Sequence, residues 1–412
     1  EVQYHLGMVR YMLGQKETAR TALEKAVKAT TDFTGIDKAR EYLTRLDGTG
    51  GIDSESTIES LTERLRKTPG DLVARTALAE LQAKAGKFQE AAASYEQALK
   101  SNPRLPGALV GLANLYSGPL ADSAKAVEYA RLARALDDRD PAAARALGTA
   151  VLQQGDFRYA YTLLKESSRD APSDSGLTVE LARAAYGFGR SDEARALMKP
   201  VAEASGNPKL AADAGQFLLL TGDRSALTAS AVDAALKQNP SDIAALLASA
   251  DLTATGGPEA AIPVYEKILK QFPDLVPAQA ALAGILADSN QKLAQATKLA
   301  EKARQALPDD PRLARTMGIL SIRQGSAEPA VRFLKESNVR SPLNADGLVW
   351  LGLAQLKSGP PADGLATLQR ALAANPGPSL QKAATEAITK AQKEAAVAAA
   401  QEKGESVKPE KP

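Results

Sequence analysis

Few side chains in this sequence could do chemistry, and their spacing excludes most of it. Histidine occurs once, at His5, and cysteine not at all. That removes disulfides, thiolate metal ligands and cysteine nucleophiles together. A zinc site built on several histidines is impossible, and a Ser-His-Asp triad would have to use His5 itself. His5 stands between Tyr4 and Leu6 at the start of a helical pattern, the setting of a structural or surface histidine. Carboxylates such as Asp192-Glu193 and Asp309-Asp310 fall between helical segments. There they serve as N-caps and first-turn charges that complement the helix dipole. No carboxylate pair has a spacing that demands acid–base work. The run Gly48-Thr49-Gly50-Gly51 is neither a GxxxxGK[ST] motif nor preceded by a strand pattern, so it reads as a linker rather than a phosphate cradle. The expectation is a protein that is not an enzyme and uses no metal or cofactor.

Charge is nearly balanced, with 51 Lys and Arg against 49 Asp and Glu, so no net field points to nucleic acid or an anionic membrane. Hydrophobic residues make up 44% but aromatics only 4%, so the apolar content is mostly Ala and Leu, residues of helix interiors. No run approaches the ~20 consecutive apolar residues of a membrane-spanning helix. The sequence opens on Glu1-Val2-Gln3 inside a helical pattern and reads as a fragment or processed product, which leaves the compartment weakly constrained.

Self-comparison shows what must position any functional surface. The pairs Leu78-Ala79, Leu112-Ala113, Leu147-Gly148, Leu181-Ala182, Ala214-Gly215, Ala248-Ser249, Leu282-Ala283, Met317-Gly318 and Leu351-Gly352 recur in one phase. Their second members advance by 34, 35, 34, 33, 34, 34, 35 and 34 residues. A shift of 170 residues superposes Tyr95-Glu96 on Tyr265-Glu266, Pro103 on Pro273 and Asp140-Pro141 on Asp310-Pro311. It also places Arg145 on Arg315 and Leu164-Lys165-Glu166-Ser167 on Leu334-Lys335-Glu336-Ser337. Both copies carry the 35-residue step at the equivalent unit, which marks an internal duplication of a five-unit block. Within one unit, apolar residues at i, i+3, i+4 and i+7 spacing predict two helices, A and B. Small residues such as Ala79, Ala91 and Ala98 let the pair approach. Gly86 reverses the chain between the helices, and Pro103 ends the second one. One such hairpin cannot bury both apolar faces, so it must stack on a neighbour.

The pattern resembles the tetratricopeptide repeat family: small residues at the eighth, twentieth and twenty-seventh positions, proline at the thirty-second. It is clearest over residues 71–104. The resemblance implies an all-α fold, a right-handed superhelical solenoid of antiparallel helix pairs with about nine contiguous repeats plus one from a preceding array. Residues 1–46 read as the last unit and closing helix of that earlier array, with Leu6-Gly7, Gly14, Ala19, Leu23 and Ala26 in register. Residues 47–54 read as a Gly-rich linker, 55–378 as the main array, 379–401 as a terminal capping helix that peels into solvent, and 402–412 as a disordered tail. Three places depart from the pattern. Leu227 replaces a small residue, Pro263 lies inside a helix B pattern, and 117–123 carries an extra residue; bent helices or shifted boundaries are expected there.

Groove positions of that family fall mainly on helix A. Carried onto this chain they include Asn114, Arg145, Gln153, Arg183, Tyr186, Lys209 and Gln216 in the first block, and Arg312, Arg315, Arg323 and Lys357 in the second. Apolar positions such as Leu219, Ile243, Ile319 and Leu353 lie between them, and acidic residues are scarce, with Glu80, Asp288 and Asp346 the exceptions. The resemblance thus implies a basic wall with apolar pockets, suited to an acidic or amphipathic peptide or protein partner. The competing reading is that the Leu and Ile pack between helices and the Arg are solvated or paired with helix B carboxylates. The function expected is a non-catalytic scaffold or adaptor. A narrower resemblance rests on Tyr4-His5-Leu6-Gly7, the closing helix 39–46, and residues 126–131 followed by Asp140-Pro141. It is to large bacterial proteins of this repeat class in exopolysaccharide and exosortase-type envelope systems. It implies an envelope assembly component supporting exopolysaccharide synthesis or export, in the periplasm or envelope rather than the cytoplasm. A further alternative is the regulatory arm of an enzyme lying outside this sequence.

Overall fold

The structure, a computed structural model, describes residues 1–12, 16–29, 33–46, 57–203 and 206–402. Gly14, the linker expected at 47–54 and residues 403–412 of the expected tail lie outside the described residues. Every regular element among the described residues is helical: 23 α-helices and three short 3-10 turns. They divide into two compact units, residues 1–185 with 192–214, and residues 186–191 with 215–412.

The first unit opens with α1 (Val2–Met12), α2 (Lys16–Lys28) and α3 (Ile36–Leu46), then a single helix α4 (Ile58–Lys67). Antiparallel A/B pairs follow: α5 (Leu72–Lys84) with α6 (Phe88–Ser101), α7 (Pro106–Ser117) with α8 (Ser123–Leu136), and α9 (Pro141–Gln153) with α10 (Phe157–Ser167). Next come α11 (Ser175–Gly187), α12 (Ser191–Glu203) and α13 (Pro208–Thr221). The second unit holds α14 (Ala229–Gln238), α15 (Ile243–Thr253) and α16 (Ile262–Gln271). It continues through the pairs α17 (Val276–Ser289) with α18 (Leu293–Ala306), α19 (Pro311–Arg323) with α20 (Ala327–Arg340), and α21 (Ala345–Ser358) with α22 (Pro361–Ala373). It closes on α23 (Pro378–Glu402).

Local chemistry sets these boundaries. Asp71, Asp140, Asp242 and Asp310 cap helix A of their units, their side chains accepting first-turn amides. Proline at the first helical position of α9 and α19 gives up only an amide that has no partner there. Gly155 and Gly325 take φ of 84° and 85° to turn from A to B.

The small eighth residue has a steric cause. A Cβ built on Gly148 would stand 2.8 Å from Leu164 Cγ, and one on Gly318 2.5 Å from Leu334 Cγ. The same contact recurs between Gly7 and Leu23 and between Gly352 and Leu368. In each case the leucine lies sixteen residues on, in helix B. Where Ala79, Ala113 or Ser249 takes the position, the residue sixteen on is Tyr95, Tyr129 or Tyr265. Full burial of Leu112, Leu147, Leu164 and Leu334 stabilises each interface by roughly 2 kcal/mol per side chain.

The three irregular places resolve as shifted boundaries. Pro263 is not in a helix interior: α16 begins at Ile262 after a 3-10 turn over Pro258–Ala261, so Pro263 sits in its first turn. Leu227 lies between a 3-10 turn, Arg224–Ala226, and α14, ahead of the helix rather than in it. The extra residue of the first block is absorbed in a long turn from Gly118 to Asp122, with Ala121 at φ 51°. Its counterpart in the second block instead lengthens helix A to Ser289 and closes through Asn290 and Lys292 at φ 58° and 42°. On α23, Ala384 is buried and Leu380, Ala387 and Ile388 pack on the cluster of Leu348, Val349, Leu368 and Ala371. Residues 392–396 are exposed.

Candidate partner-binding face

The A helices present the residues singled out above, and the structure treats them unequally. In the first unit Arg145 is half-buried on α9. Its guanidinium bonds Asp174 at 2.6 Å and Glu180 at 3.1 Å, and Thr149 Oγ1 donates to Glu180 at 3.1 Å. Asp174 also caps α11 by accepting the Leu177 amide at 2.9 Å. That amide is the main reason the Asp174 carboxyl lies below its ordinary range; partial burial opposes it and Arg145 adds to it. For Arg145, burial works against the charge, and Glu180 and Asp174 outweigh it, so its pKa is raised. Gln153 donates to the Ser117 carbonyl across neighbouring A helices.

Asn114 is exposed on α7, one position past its small residue, and Arg183 occupies the same register on α11, half-buried. Lys209 is exposed in the first turn of α13. None of these three side chains makes a hydrogen bond or ion pair with another described residue.

In the second unit Tyr186 is buried, its ring edge-on to Phe217 at 5.2 Å, a packing residue rather than an open groove contact. Gln216 is half-buried. Arg312 is exposed and folds back on the capping Asp310 at 2.9 Å. Arg315 bonds Asp288 at 3.1 Å. Arg323 donates to the Asp288 carbonyl at 2.7 Å and lies 4.8 Å above the ring of Trp350, the only tryptophan in the chain. Its Nε is buried with no hydrogen-bond partner, and burial lowers its pKa against the pull of Asp288. Lys357 is exposed near the end of α21.

Two clusters therefore form, Arg145–Asp174–Glu180 and Asp288–Arg315–Arg323–Trp350, and each is largely satisfied internally. The basic wall is neutralised at Arg145, Arg312 and Arg315. Their carboxylates come from N-caps and A helices, not from the B helices that the competing reading would use. Sequence reasoning missed Asp174, Glu180 and Trp350; the signal was present in the one-repeat offset of 35 residues between Arg145 and Glu180. A cavity of about 250 Å³ in the second unit, lined by Leu247, Asp251, Tyr265 and Thr316 among others, was also unforeseen. Tyr265 donates to Asp251 there at 3.1 Å. Among the described residues no three His, Cys, Asp or Glu side chains gather to hold a metal, and no helix is long and apolar enough to cross a membrane.

Models of the tetratricopeptide repeat family match residues 1–29, 76–141 and 151–214. The cellulose synthase operon protein C of Xanthomonas axonopodis pv. citri is 33% identical over 175 residues, 38% of this chain and 11% of that protein. The chain thus aligns with about a tenth of that relative's length. Among solved structures, the Cut9–Hcn1 hetero-tetramer of the APC/C aligns over 93% of this chain and 95% of that one, at 12% identity and TM-score 0.38. The P58(IPK) repeat domain aligns over 86% and 97%, at 16% identity and TM-score 0.30. The thermophilic protein TTC0263 of Thermus thermophilus aligns over 52% and 97%, at 22% identity and TM-score 0.29.

Proposed function

Because this chain is built from tetratricopeptide repeats, we propose that it is a non-catalytic scaffold holding a protein or peptide partner on its A-helix face. The observation that supports this reading most is the set of polar side chains left over by the fold in the first unit. Asn114, Arg183 and Lys209 have no hydrogen-bond or ionic partner among the described residues, while their neighbour Arg145 is bound to two carboxylates. Side chains with no polar partner among the described residues are available to an external partner. Arg183 and Lys209 favour an acidic segment over a basic one. The test is capture by the whole chain against its Arg183→Glu, Lys209→Glu variant. A partner lost by the variant at unchanged melting temperature supports the reading; a capture profile identical in both variants, or a variant that unfolds, removes these residues from the binding surface.

A second reading has its own observation, the 33% identity to a protein named for a cellulose synthase operon. On this reading the scaffold supports exopolysaccharide synthesis or export and works in the periplasm or envelope. Deleting it in the organism that carries it should then reduce secreted polysaccharide; unchanged polymer would count against it.

A further inference from the structure

The cavity of the second unit is built from residues that the first copy of the block lacks. It encloses about 250 Å³ and is lined by Asp251, Tyr265, Asp310, Thr316, Tyr186 and Ser191, with apolar side chains that include Pro277 and Leu313. A shift of 170 residues puts Leu81 at the place of Asp251 and Ala146 at that of Thr316. It puts Ala142 at the place of Arg312, which also lines the cavity. Asp140 and Tyr95 do match Asp310 and Tyr265, but the second tyrosine cannot sit as the first does. Tyr95 rests against Gly111, where an added Cβ would stand 2.4 Å from its ring. The second copy has Ala281 there. Tyr265 is thereby excluded from that seat, and its hydroxyl donates instead to Asp251 at 3.1 Å. Another wall is the turn from Tyr186 to Ser191. Gly189 in that turn takes φ of 89°, and a Cβ there would lie 2.7 Å from Leu307 and 3.0 Å from Val276. The turn is therefore seated directly on the start of α17 and the end of α18.

The internal hydrogen bonds fix what this cavity can offer. Tyr265 gives its hydroxyl proton to Asp251, and Thr316 gives its own to the Arg312 carbonyl at 3.0 Å. A hydroxyl carries one proton, so what these two can still present is lone pairs. The Arg312 guanidinium lies largely in solvent and is turned to Asp310 at 2.9 Å. Asp251, by contrast, is bonded to a neutral phenol. The walls are thus rich in acceptors and negative in charge, and the phenol rings of Tyr186 and Tyr265 add attraction for a cation. The volume of about 250 Å³ lies below the roughly 300–1,000 Å³ of sites for drug-sized ligands. A group the size of one long side chain fits such a space, and a folded segment does not.

We propose that this cavity binds an alkylammonium group, with its N–H donors directed to Asp251, Tyr265 and Thr316 and its methylene stem against Pro277 and Leu313. A free amine and the lysine side chain of a partner present the same chemistry. The site belongs to the second unit and does not depend on the partner-binding residues proposed for the first.

The test titrates the whole chain with n-butylammonium and follows the amide resonances of Gly189, Leu313 and Thr316. n-Butanol has the same shape without the charge, and tetramethylammonium is a cation without N–H donors. Butylammonium should give saturable shifts with a Kd of about a millimolar, and both controls should bind at least about tenfold more weakly. The substitutions Asp251→Leu and Thr316→Ala together install the first copy's residues and should abolish the shifts. Asp251→Asn keeps the shape and an acceptor for Tyr265. It should weaken binding about tenfold at unchanged melting temperature, which separates loss of charge from loss of fold. Butane-1,4-diamine and Nα-acetyl-lysine amide then distinguish the two sources by which binds more tightly. No saturable shift with butylammonium up to tens of millimolar overturns the proposal. So does an equal response to butanol, or undiminished binding by the Asp251→Asn chain.

Discussion

The two copies of the duplicated block keep one set of contacts and have rebuilt another. In the first copy Arg134 bonds Glu166 through both carboxylate oxygens, at 2.7 and 2.8 Å; in the second Arg304 bonds Glu336 at 2.8 Å to each. Ser167 donates to the Pro141 carbonyl at 2.9 Å, and Ser337 to that of Pro311 at 2.7 Å. The ion pairs join B helices of successive units, α8 to α10 and α18 to α20, the serines join B to A within a unit, and both have survived with their geometry. The A-helix face has not. Asp174 and Glu180, which hold Arg145, are replaced in the second copy by Asn344 and Trp350. Arg315 accordingly turns to Asp288, whose own counterpart is Gly118, and Arg323 replaces Gln153 to lie over Trp350. Stacking contacts are constrained because every unit must bury both apolar faces. The A-helix face is free to change wherever its charges find some internal partner.

The largest effects should be the same in both copies. Leu164→Ala and Leu334→Ala each remove a fully buried side chain packed on a glycine, and each should cost about 2–5 kcal/mol in denaturant unfolding. A copy that tolerates its substitution markedly better would show that the two interfaces are not packed alike. Next in size, double-mutant cycles on Arg134–Glu166 and Arg304–Glu336 should return similar couplings of about 1 kcal/mol. Divergent couplings would mean that the shared geometry does not carry shared energetics.

Smaller effects belong to the rebuilt face. Arg323→Ala removes the cation above Trp350 and should weaken the second unit by about 0.5–1 kcal/mol. Because Trp350 is the only tryptophan, its emission reports that loss directly. An unshifted spectrum would show that the guanidinium does not rest on the ring in solution.

How much of this was legible beforehand follows from the same division. The 34-residue period is written in residues whose reason is steric and local. Gly148 must be small because Leu164 faces it, and Asp140 and Pro141 start a helix whatever surrounds them. Such residues can be read one unit at a time. The partners of Arg145 could not be, because Glu180 lies one repeat on and matters only after stacking has set the helix spacing. Trp350 was not singled out for the same reason. Pro263 and Leu227 misled in the opposite direction. Each is irregular within the repeat pattern, but a 3-10 turn before the helix accommodates both without bending it.

The smallest effect distinguishes the copies most cleanly, because it uses one structural position with two chemistries. Asp174 caps α11 by accepting the Leu177 amide at 2.9 Å; its counterpart Asn344 caps α21 by accepting the Gly347 amide, also at 2.9 Å. The Asp174 carboxyl is held below its ordinary range by that amide first and by Arg145 in addition. A lowered folded pKa stabilises the folded state fully above the ordinary carboxylate value, and the contribution is lost as pH falls through the lowered one. The loss therefore develops below about pH 4 and is confined to the first turn of α11. The Asn344 amide does not titrate, so the α21 cap has no such term. Amide exchange at Leu177, corrected for intrinsic rate, should lose protection in mild acid while Gly347 keeps it. Asp174→Asn should make the two positions alike in pH dependence, at the expense of the ion pair to Arg145. If Leu177 and Gly347 instead respond to acid together, the loosening is a property of the whole stack, and the rebuilt face has no independent stability for a partner to exploit.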